Sequence, residues 1–367
     1  MFKVLHFLSS SFAKPLRRKG GRLKRRFSPL YEGISLFLIF CLALPFLVSC
    51  RGGSKGKKKV YYTYFDTVTE ISSYRAESDA DFSANADAAA ALLGTYHELF
   101  DIYHEYEGIT NLATVNRMAG GEPLAVDERL IDFLLFAKEM YETTDGYVNI
   151  AMGSVLTLWH DFRERVSDGD ADALPPSEEA LAAANLHTSI DALEIDRAAG
   201  TVRLTDPAAS LDVGAMGKGY ATARAAELLR ARGADSYVIN AGGNLVILGA
   251  RPDGSPFSTG IRNPRGDGFA ATVSLSDTSF VTSGDYERYV TVGGVRYHHI
   301  IDKTTLAPAS HFASVSVMAA DSGVADALST ALFCMPYEEG RALAGRLGAE
   351  VLWITPEGEI LRTEGMK

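Results

Sequence analysis

Between residues 61 and 74 (YYTYFDTVTEISSY) polar and apolar side chains alternate, and β-branched and aromatic residues dominate, which predicts a strand. At residue 79 the period changes. Ala and Leu recur at helical spacing to residue 100, predicting a helix. A second helix is predicted over 127–143, opening on an acidic residue and stopping before Thr144-Asp145-Gly146, and a third over 152–165. Residues 167–176 read as a surface loop, after which Ser177 caps a short helix to Asn185. Residues 193–196 and 201–204 read as a hairpin, and 219–232 as a strong helix. Strands follow at 237–240, 245–249, 272–275, 280–282, 290–292, 295–300 and 314–318, then helices at 324–333 and 338–347 and a last strand at 351–354. Helices gather early, strands gather late, and the strands come in hairpins. That order predicts an α+β fold, with one domain over 61–367 built on a mixed, largely antiparallel sheet packed by helices, rather than regular βαβ winding.

The start of the chain has another character. Lys14, Arg17, Arg18, Lys19, Arg22, Lys24, Arg25 and Arg26 precede sixteen largely apolar residues, 34–49, interrupted by Pro45. Sixteen is short for a spanning helix and fits the apolar part of a signal peptide, with a single membrane anchor as the alternative. Leu47-Val48-Ser49-Cys50 resembles a bacterial lipobox, in which the cysteine thiol is lipidated and becomes the mature first residue. The reading is a signal peptide at 1–49, a lipidated Cys50 with a flexible basic tether at 50–60, and a body held at the extracytoplasmic face of the bacterial membrane by its lipid. Charge follows the same division. Of 36 Lys/Arg and 46 Asp/Glu, nine basic residues and one acid lie in 1–49, which leaves 27 against 45 in the rest. So acidic a body repels phosphate backbones and argues against nucleic-acid binding. Three cysteines, Cys41, Cys50 and Cys334, make neither a disulfide framework nor a CxxC zinc pair.

Five stretches could carry chemistry. Asp212-Val213-Gly214-Ala215-Met216-Gly217-Lys218-Gly219 joins a short strand to a helix. Its glycines and lysine suit a phosphate, with the amides of 214–219 holding oxygens, though the spacing is neither a Walker A loop nor a Rossmann fingerprint, and a tight turn would look the same. Asn240-Ala241-Gly242-Gly243-Asn244 reads as a hairpin turn that could also pass close to a flat ring. Thr282–Tyr286, with Arg288 nearby, is a capped turn or the rim of a pocket. In Tyr297-His298-His299-Ile300-Ile301-Asp302 neighbouring side chains point to opposite sides of a strand, so only one histidine can face a cleft. Asp326 and Thr330 are four residues apart on a helix and share a face; their hard oxygens suit Mg²⁺, and a solvated helix start is the alternative.

Taken in order, these stretches resemble the ApbE family of FAD:protein FMN transferases. The matching segments are TDGYVNIAMGSVLTLWH (144–160), LDVGAMGKGYATARAAELL (211–229), VINAGGNLVILG (238–249), VTSGDYERYV (281–290), YHHIIDK (297–303) and VADALSTALF (324–333). The resemblance implies an FAD cleft and transfer of FMN to a threonine or serine hydroxyl of an acceptor protein, within a short Ser/Thr-Gly-Ala-Thr-like segment, with release of AMP. It implies Mg²⁺ held by Asp326, Thr330 and the backbone carbonyl of Ala215. FAD contacts are implied at Phe65, Tyr103, Tyr147, Val148, Asn149, Asp212, Lys218 and Ile300, with His299 as the candidate base; at its ordinary pKa of about 6.5 the imidazole could accept the hydroxyl proton at neutral pH. The chain departs from the family pattern at Phe65, where many members have Met; at Asn149, where many have Asp; at Gly217, often Ala; and at Lys303 and Leu306, usually Pro and Gly. An FAD pyrophosphatase giving FMN and AMP, and a flavin-binding lipoprotein without chemistry, are the alternatives.

Overall fold

The alternating segment at the start of the body folds as two strands. In the computed structural model, which describes residues 56–366, β1 (Lys57–Tyr64) and β2 (Thr67–Ser73) pair antiparallel from Lys57↔Ser73 to Tyr64↔Thr67. The turn residues Phe65 and Asp66 both have positive φ, 53° and 50°, as a two-residue hairpin whose twist matches its strands requires. Alternation alone carries no mark of that reversal, because Phe-Asp is not a usual turn dipeptide. The tether expected at 50–60 is corrected in its last residues, since β1 takes up 57–60. Lys57, Lys58 and Lys59 reach Asp79, Glu70 and Asp87, each at 2.6 Å, and cover an edge strand with charge. Cys50, the apolar run and the basic tract before it lie outside the described residues. Among the described residues no helix is long and apolar enough to cross a membrane.

The helix α1 (Asp79–Phe100) occupies the predicted span and is capped by Ser78. Next come α2 (Leu112–Arg117), β3 (Leu124–Ala125), α3 (Glu128–Thr143), α4 (Gly153–Ser167), α5 (Glu178–Asn185), β4 (Leu193–Asp196) and β5 (Thr201–Leu204). The second half holds α6 (Gly217–Ala231), β6 (Tyr237–Ala241), β7 (Asn244–Leu248), β8 (Phe257–Arg262), β9 (Phe269–Leu275), β10 (Ser279–Gly284), β11 (Tyr289–Val292) and β12 (Val295–His298). It closes with β13 (Ser314–Ala319), α7 (Ser322–Cys334), α8 (Tyr337–Arg346), β14 (Glu350–Ile354) and β15 (Ile360–Arg362). The main sheet has eight strands in the order β1-β2-β6-β7-β10-β13-β14-β15, and each neighbouring pair runs antiparallel.

Both faces of this sheet are covered, which explains why β7 and β14 read as continuous apolar runs instead of alternating. Val246, Leu248, Val351 and Trp353 point into the larger core, beneath the helices, while Leu245, Ile247, Leu352 and Ile354 point into a second cluster closed by the β8–β9 hairpin through Phe257, Ile261 and Val273. The helix α7 is buried almost all round, as its uninterrupted small and apolar residues require, and it lies between the sheet and α6. A third cluster joins α4 to the β11–β12 ribbon through Trp159, Phe162 and Tyr297.

One side chain of α2 fixes the chain entering the 212–219 turn. Asn116 donates from Nδ2 to the carbonyl of Leu211 at 2.9 Å and accepts the Leu211 N–H at Oδ1 at 2.7 Å. Leu211 is fully buried, so nothing else replaces those partners. Asn116→Ala is expected to cost about 1–3 kcal/mol in urea unfolding, the penalty of an orphaned buried polar group. An unchanged midpoint would show that the two hydrogen bonds contribute nothing net.

Candidate active site

The helix α6 starts at Gly217, two residues before the expected position, because the turn ahead of it closes on itself. Asp212 Oδ1 accepts the Gly214 N–H at 2.8 Å, and the carbonyl of Val213 accepts from Met216 and Gly217 at 3.1 and 2.8 Å. The Gly219 N–H donates to Asp326 Oδ2 on α7 at 2.7 Å. A cradle of free amides over 214–219 is therefore corrected: those of Gly214, Met216, Gly217 and Gly219 are already spent inside the protein. What requires glycine at 219 is close approach. A Cβ there would stand 2.4 Å from Asp326 Cβ and 2.4 Å from the Ser322 carbonyl oxygen, so only a bare α-carbon lets α6 touch α7.

That approach brings the predicted metal ligands together. Asp326 is 6 % exposed. The Thr330 hydroxyl, one turn on, lies 3.5 Å from the Ala215 carbonyl oxygen, 115 residues away in sequence. Among the described residues no three His, Cys, Asp or Glu side chains cluster as a metal cage. A carboxylate, a hydroxyl and a carbonyl are hard donors that leave further positions to phosphate oxygens and water, the way Mg²⁺ is usually held, so these residues fit the ion. Beside them Lys218 Nζ donates to Asn244 Oδ1 at 2.5 Å and stands 4.0 Å from Asp326 Oδ1. Burial pulls the Lys218 ammonium down, against the Asp326 charge, and burial pushes the Asp212 carboxyl up, against its bond from Gly214.

Asn244 was not a sequence-predicted ligand. It opens β7 after the Gly242-Gly243 turn, whose φ angles of 56° and 96° make the expected hairpin reversal. Its Nδ2 is buried without a partner. The glycine pair was the available signal, since Gly242 presses on the Thr67 side chain where a Cβ would clash at 2.2 Å, carrying Asn244 toward the site.

The two histidines divide as strand geometry requires. His298 points inward; its Nε2 meets the Ala309 carbonyl at 2.9 Å, its Nδ1 accepts the Ile300 N–H at 3.2 Å, and its ring stands edge-on to Phe333 at 5.7 Å. His299 points the other way. The Arg288 backbone hydrogen-bonds its ring, and its Nδ1 is buried without a partner. The expectation of an ordinary pKa is corrected. Burial first, then the charges of Arg288, His298 and Arg163, hold His299 down at about 3, so the imidazole is neutral at pH 7 with a free lone pair.

The remaining predicted contacts flank this centre. Tyr103 is 60 % exposed, lies 5.4 Å from the His160 ring, and is within electrostatic reach of Asp212, Arg288 and Arg163. Phe65 holds a left-handed conformation that is strained for a bulky residue, with its ring against His97 and Phe100; Phe100 in turn touches the Gly217 position. The Lys303 ammonium sits 4.4 Å over the Tyr147 ring and donates to the Asp145 carbonyl. Val148 and Ile300 pack into the core, 1 % and 4 % exposed, so neither is brought to an open surface where a ligand could reach it. Both ends of the Asn149 amide are engaged, with the Thr188 carbonyl at 2.8 Å and the Ala151 N–H at 2.9 Å. Asn149 and Lys303 line a cavity of about 330 Å³ with Tyr141, Asn185 and Thr188.

The acid limb of stability follows from the histidines. The folded protein resists protonating His298 and His299, whereas the unfolded chain takes those protons below a pH of about 6.5. Stability is therefore complete above that pH and falls as the pH drops towards 3. Urea midpoints of His299→Asn are expected to fall less steeply between pH 7 and pH 4 than those of the parent; parallel curves would mean that His299 titrates normally.

A sequence model of the ApbE family matches residues 65–353. An FAD:protein FMN transferase from Treponema pallidum is 35 % identical over 304 residues, covering 76 % of this chain and 82 % of the relative, and one from Vibrio cholerae is 30 % identical over 260 residues, covering 70 % and 76 %. The crystal structure of the ApbE protein from Thermotoga maritima superposes with a TM-score of 0.74 at 28 % identity, covering 84 % of this chain and 97 % of that one. The flavin transferase ApbE from Vibrio cholerae, 24 % identical with a TM-score of 0.71 over 85 % and 99 %, shares the fold. On both sequence and fold, this chain belongs to the ApbE family.

Proposed function

We propose that this protein transfers the FMN half of FAD to a threonine or serine hydroxyl of an acceptor protein, with Mg²⁺ at the pyrophosphate. The observation that carries the reading is the meeting of Asp326, Thr330, the Ala215 carbonyl and Lys218 at one place, from stretches more than a hundred residues apart. Phosphoryl transfer needs positioning and charge neutralisation more than covalent work by the protein, and this group supplies both. Bound there, Mg²⁺ would offset pyrophosphate charge and orient the phosphorus for in-line attack. The hydroxyl oxygen of the acceptor bonds to the FMN phosphorus, the bond from that phosphorus to the bridging oxygen breaks, AMP leaves with that oxygen, and the hydroxyl proton passes to Nδ1 of His299. A pKa near 3 makes His299 a weak base in the empty site. The negative charge of a bound dinucleotide raises it toward the range where a base works at neutral pH.

The acceptor in this reading presents a short Ser/Thr-Gly-Ala-Thr-like segment. The family resemblance and the lipobox together support an enzyme lipidated at Cys50 and held at the extracytoplasmic membrane face, where the acceptor would meet it.

Purified protein incubated with FAD, Mg²⁺ and a threonine-bearing acceptor is expected to yield a fluorescent acceptor band. Asp326→Asn, which keeps the side chain's shape, is expected to lower the rate by on the order of 10²-fold or more, and His299→Asn by about 10²–10⁴-fold. AMP release measured without acceptor reports how far water substitutes for the hydroxyl. Full activity of Asp326→Asn, or activity undiminished by EDTA, would remove the metal from the account. In a bacterial host, Cys50→Ala is expected to move the protein from the membrane fraction to the soluble fraction; membrane retention there would count against lipid anchoring.

A further inference from the structure

The β11–β12 ribbon has two faces of different character. Its register pairs Tyr289 with His298, Val290 with Tyr297 and Thr291 with Arg296. On the face bearing Thr291 and Arg296, every guanidinium is answered: Asp285 takes Arg296 at 3.1 Å and Arg265 in a fork at 2.8 and 2.6 Å. The other face carries Val290 and Tyr297 and lies on α4, with Tyr297 against Trp159 at 5.9 Å and Phe162 at 5.2 Å. Continued one step, the register sets Arg288 opposite His299 on this second face, and the Arg288 backbone indeed holds the His299 ring. One helical turn beyond Trp159 on α4 stands Arg163. The apolar packing of ribbon on helix thus runs out into two arginines and a histidine.

Among the described residues no carboxylate lies within ion-pair distance of Arg163 or Arg288. Arg163 Nη1 is buried without a hydrogen-bond partner. A buried donor without an acceptor is rare in folded proteins, and like-charged guanidiniums repel one another, so an anion beside them would relieve both.

We propose that Arg163 and Arg288 form a phosphate-binding pair for the dinucleotide, gripping one of its two phosphates beside Lys218 and Asp326. The inference rests on the transferase reading and adds two residues to it. The charges of Arg163 and Arg288 both reach His299 and Asp212, and that of Arg288 also reaches Lys218, which places the pair at the same centre as the metal ligands. A planar fork suits phosphate oxygens, and positive charge beside the leaving phosphate favours departure of AMP.

Binding measured by flavin fluorescence and calorimetry tests this without turnover. Arg288→Gln and Arg163→Gln are each expected to weaken FAD about 10–100-fold, the worth of hydrogen bonds to a charged group, and to leave riboflavin, which has no phosphate, within about twofold of the parent. Arg288→Lys restores part of the loss, since it keeps the charge but not the fork. AMP and FMN, measured separately, show which phosphate the pair holds, because only that ligand weakens with FAD. Unchanged FAD affinity in both variants, or an equal loss for riboflavin, overturns the proposal. Parent protein that binds no FAD at all overturns the transferase reading instead. Riboflavin binding also reports that each variant has folded.

Discussion

One backbone amide sets the geometry of this protein. The Gly219 N–H reaches Asp326 on α7, and no side chain at 219 permits that distance. Because α7 is wedged between sheet and helices, Asp326 has little freedom, and α6 must come to it. Once they touch, the turn before α6 lies beside the next turn of α7, which places the Ala215 carbonyl against Thr330 and Lys218 beside Asp326. A carboxylate at 6 % exposure costs several kcal/mol unless hydrogen-bonded and paired. Here one amide hydrogen bond and a lysine at 4.0 Å partly offset that cost, and the remaining lone pairs are what a hard cation would use.

How much of this could be read from the chain depends on the range of the interactions involved. Helix spans set by local periodicity, as in α1, α3 and α5, agree with the structure to within a residue. So does the Gly242-Gly243 reversal, because its two positive φ angles are a property of the residues themselves. The Phe65-Asp66 turn was not legible, since its strained conformation is imposed by the pairing of β1 with β2 and by packing on Phe100. The strand β15 is short and β8 holds a glycine; their signal is the cover they give or receive across the sheet, which no window of sequence contains. Within the site, residue types and spacing alone left a tight turn and a solvated helix as the simpler readings of 212–219 and 326–330. Only the order of several motifs, through the family resemblance, joined them. Arg163 gave no sign, because nothing in its own neighbourhood shows that its Nη1 is buried without a partner.

The charge balance of the site gives these separate facts a common cause. The body is strongly acidic, yet the charge of Arg288 reaches Lys218, and the charges of Arg163 and Arg288 reach an Asp212 whose carboxyl burial pushes up. Arg288 is exposed, but Lys218 and Nη1 of Arg163 are held away from water. Burial, with the Arg288 charge added to it, pulls Lys218 and His299 down, and donors of Arg163 and Asn244 are left without acceptors. A neutral ligand would correct none of this. An anion with several acceptor oxygens corrects all of it at once: it satisfies the donors, restores the lysine, and makes protonation of His299 easier at the moment a hydroxyl must give up its proton. On the transferase proposal, His299 would be a weak base in the empty enzyme and the substrate would supply the charge that strengthens it, which would tie proton abstraction to the presence of the pyrophosphate it serves.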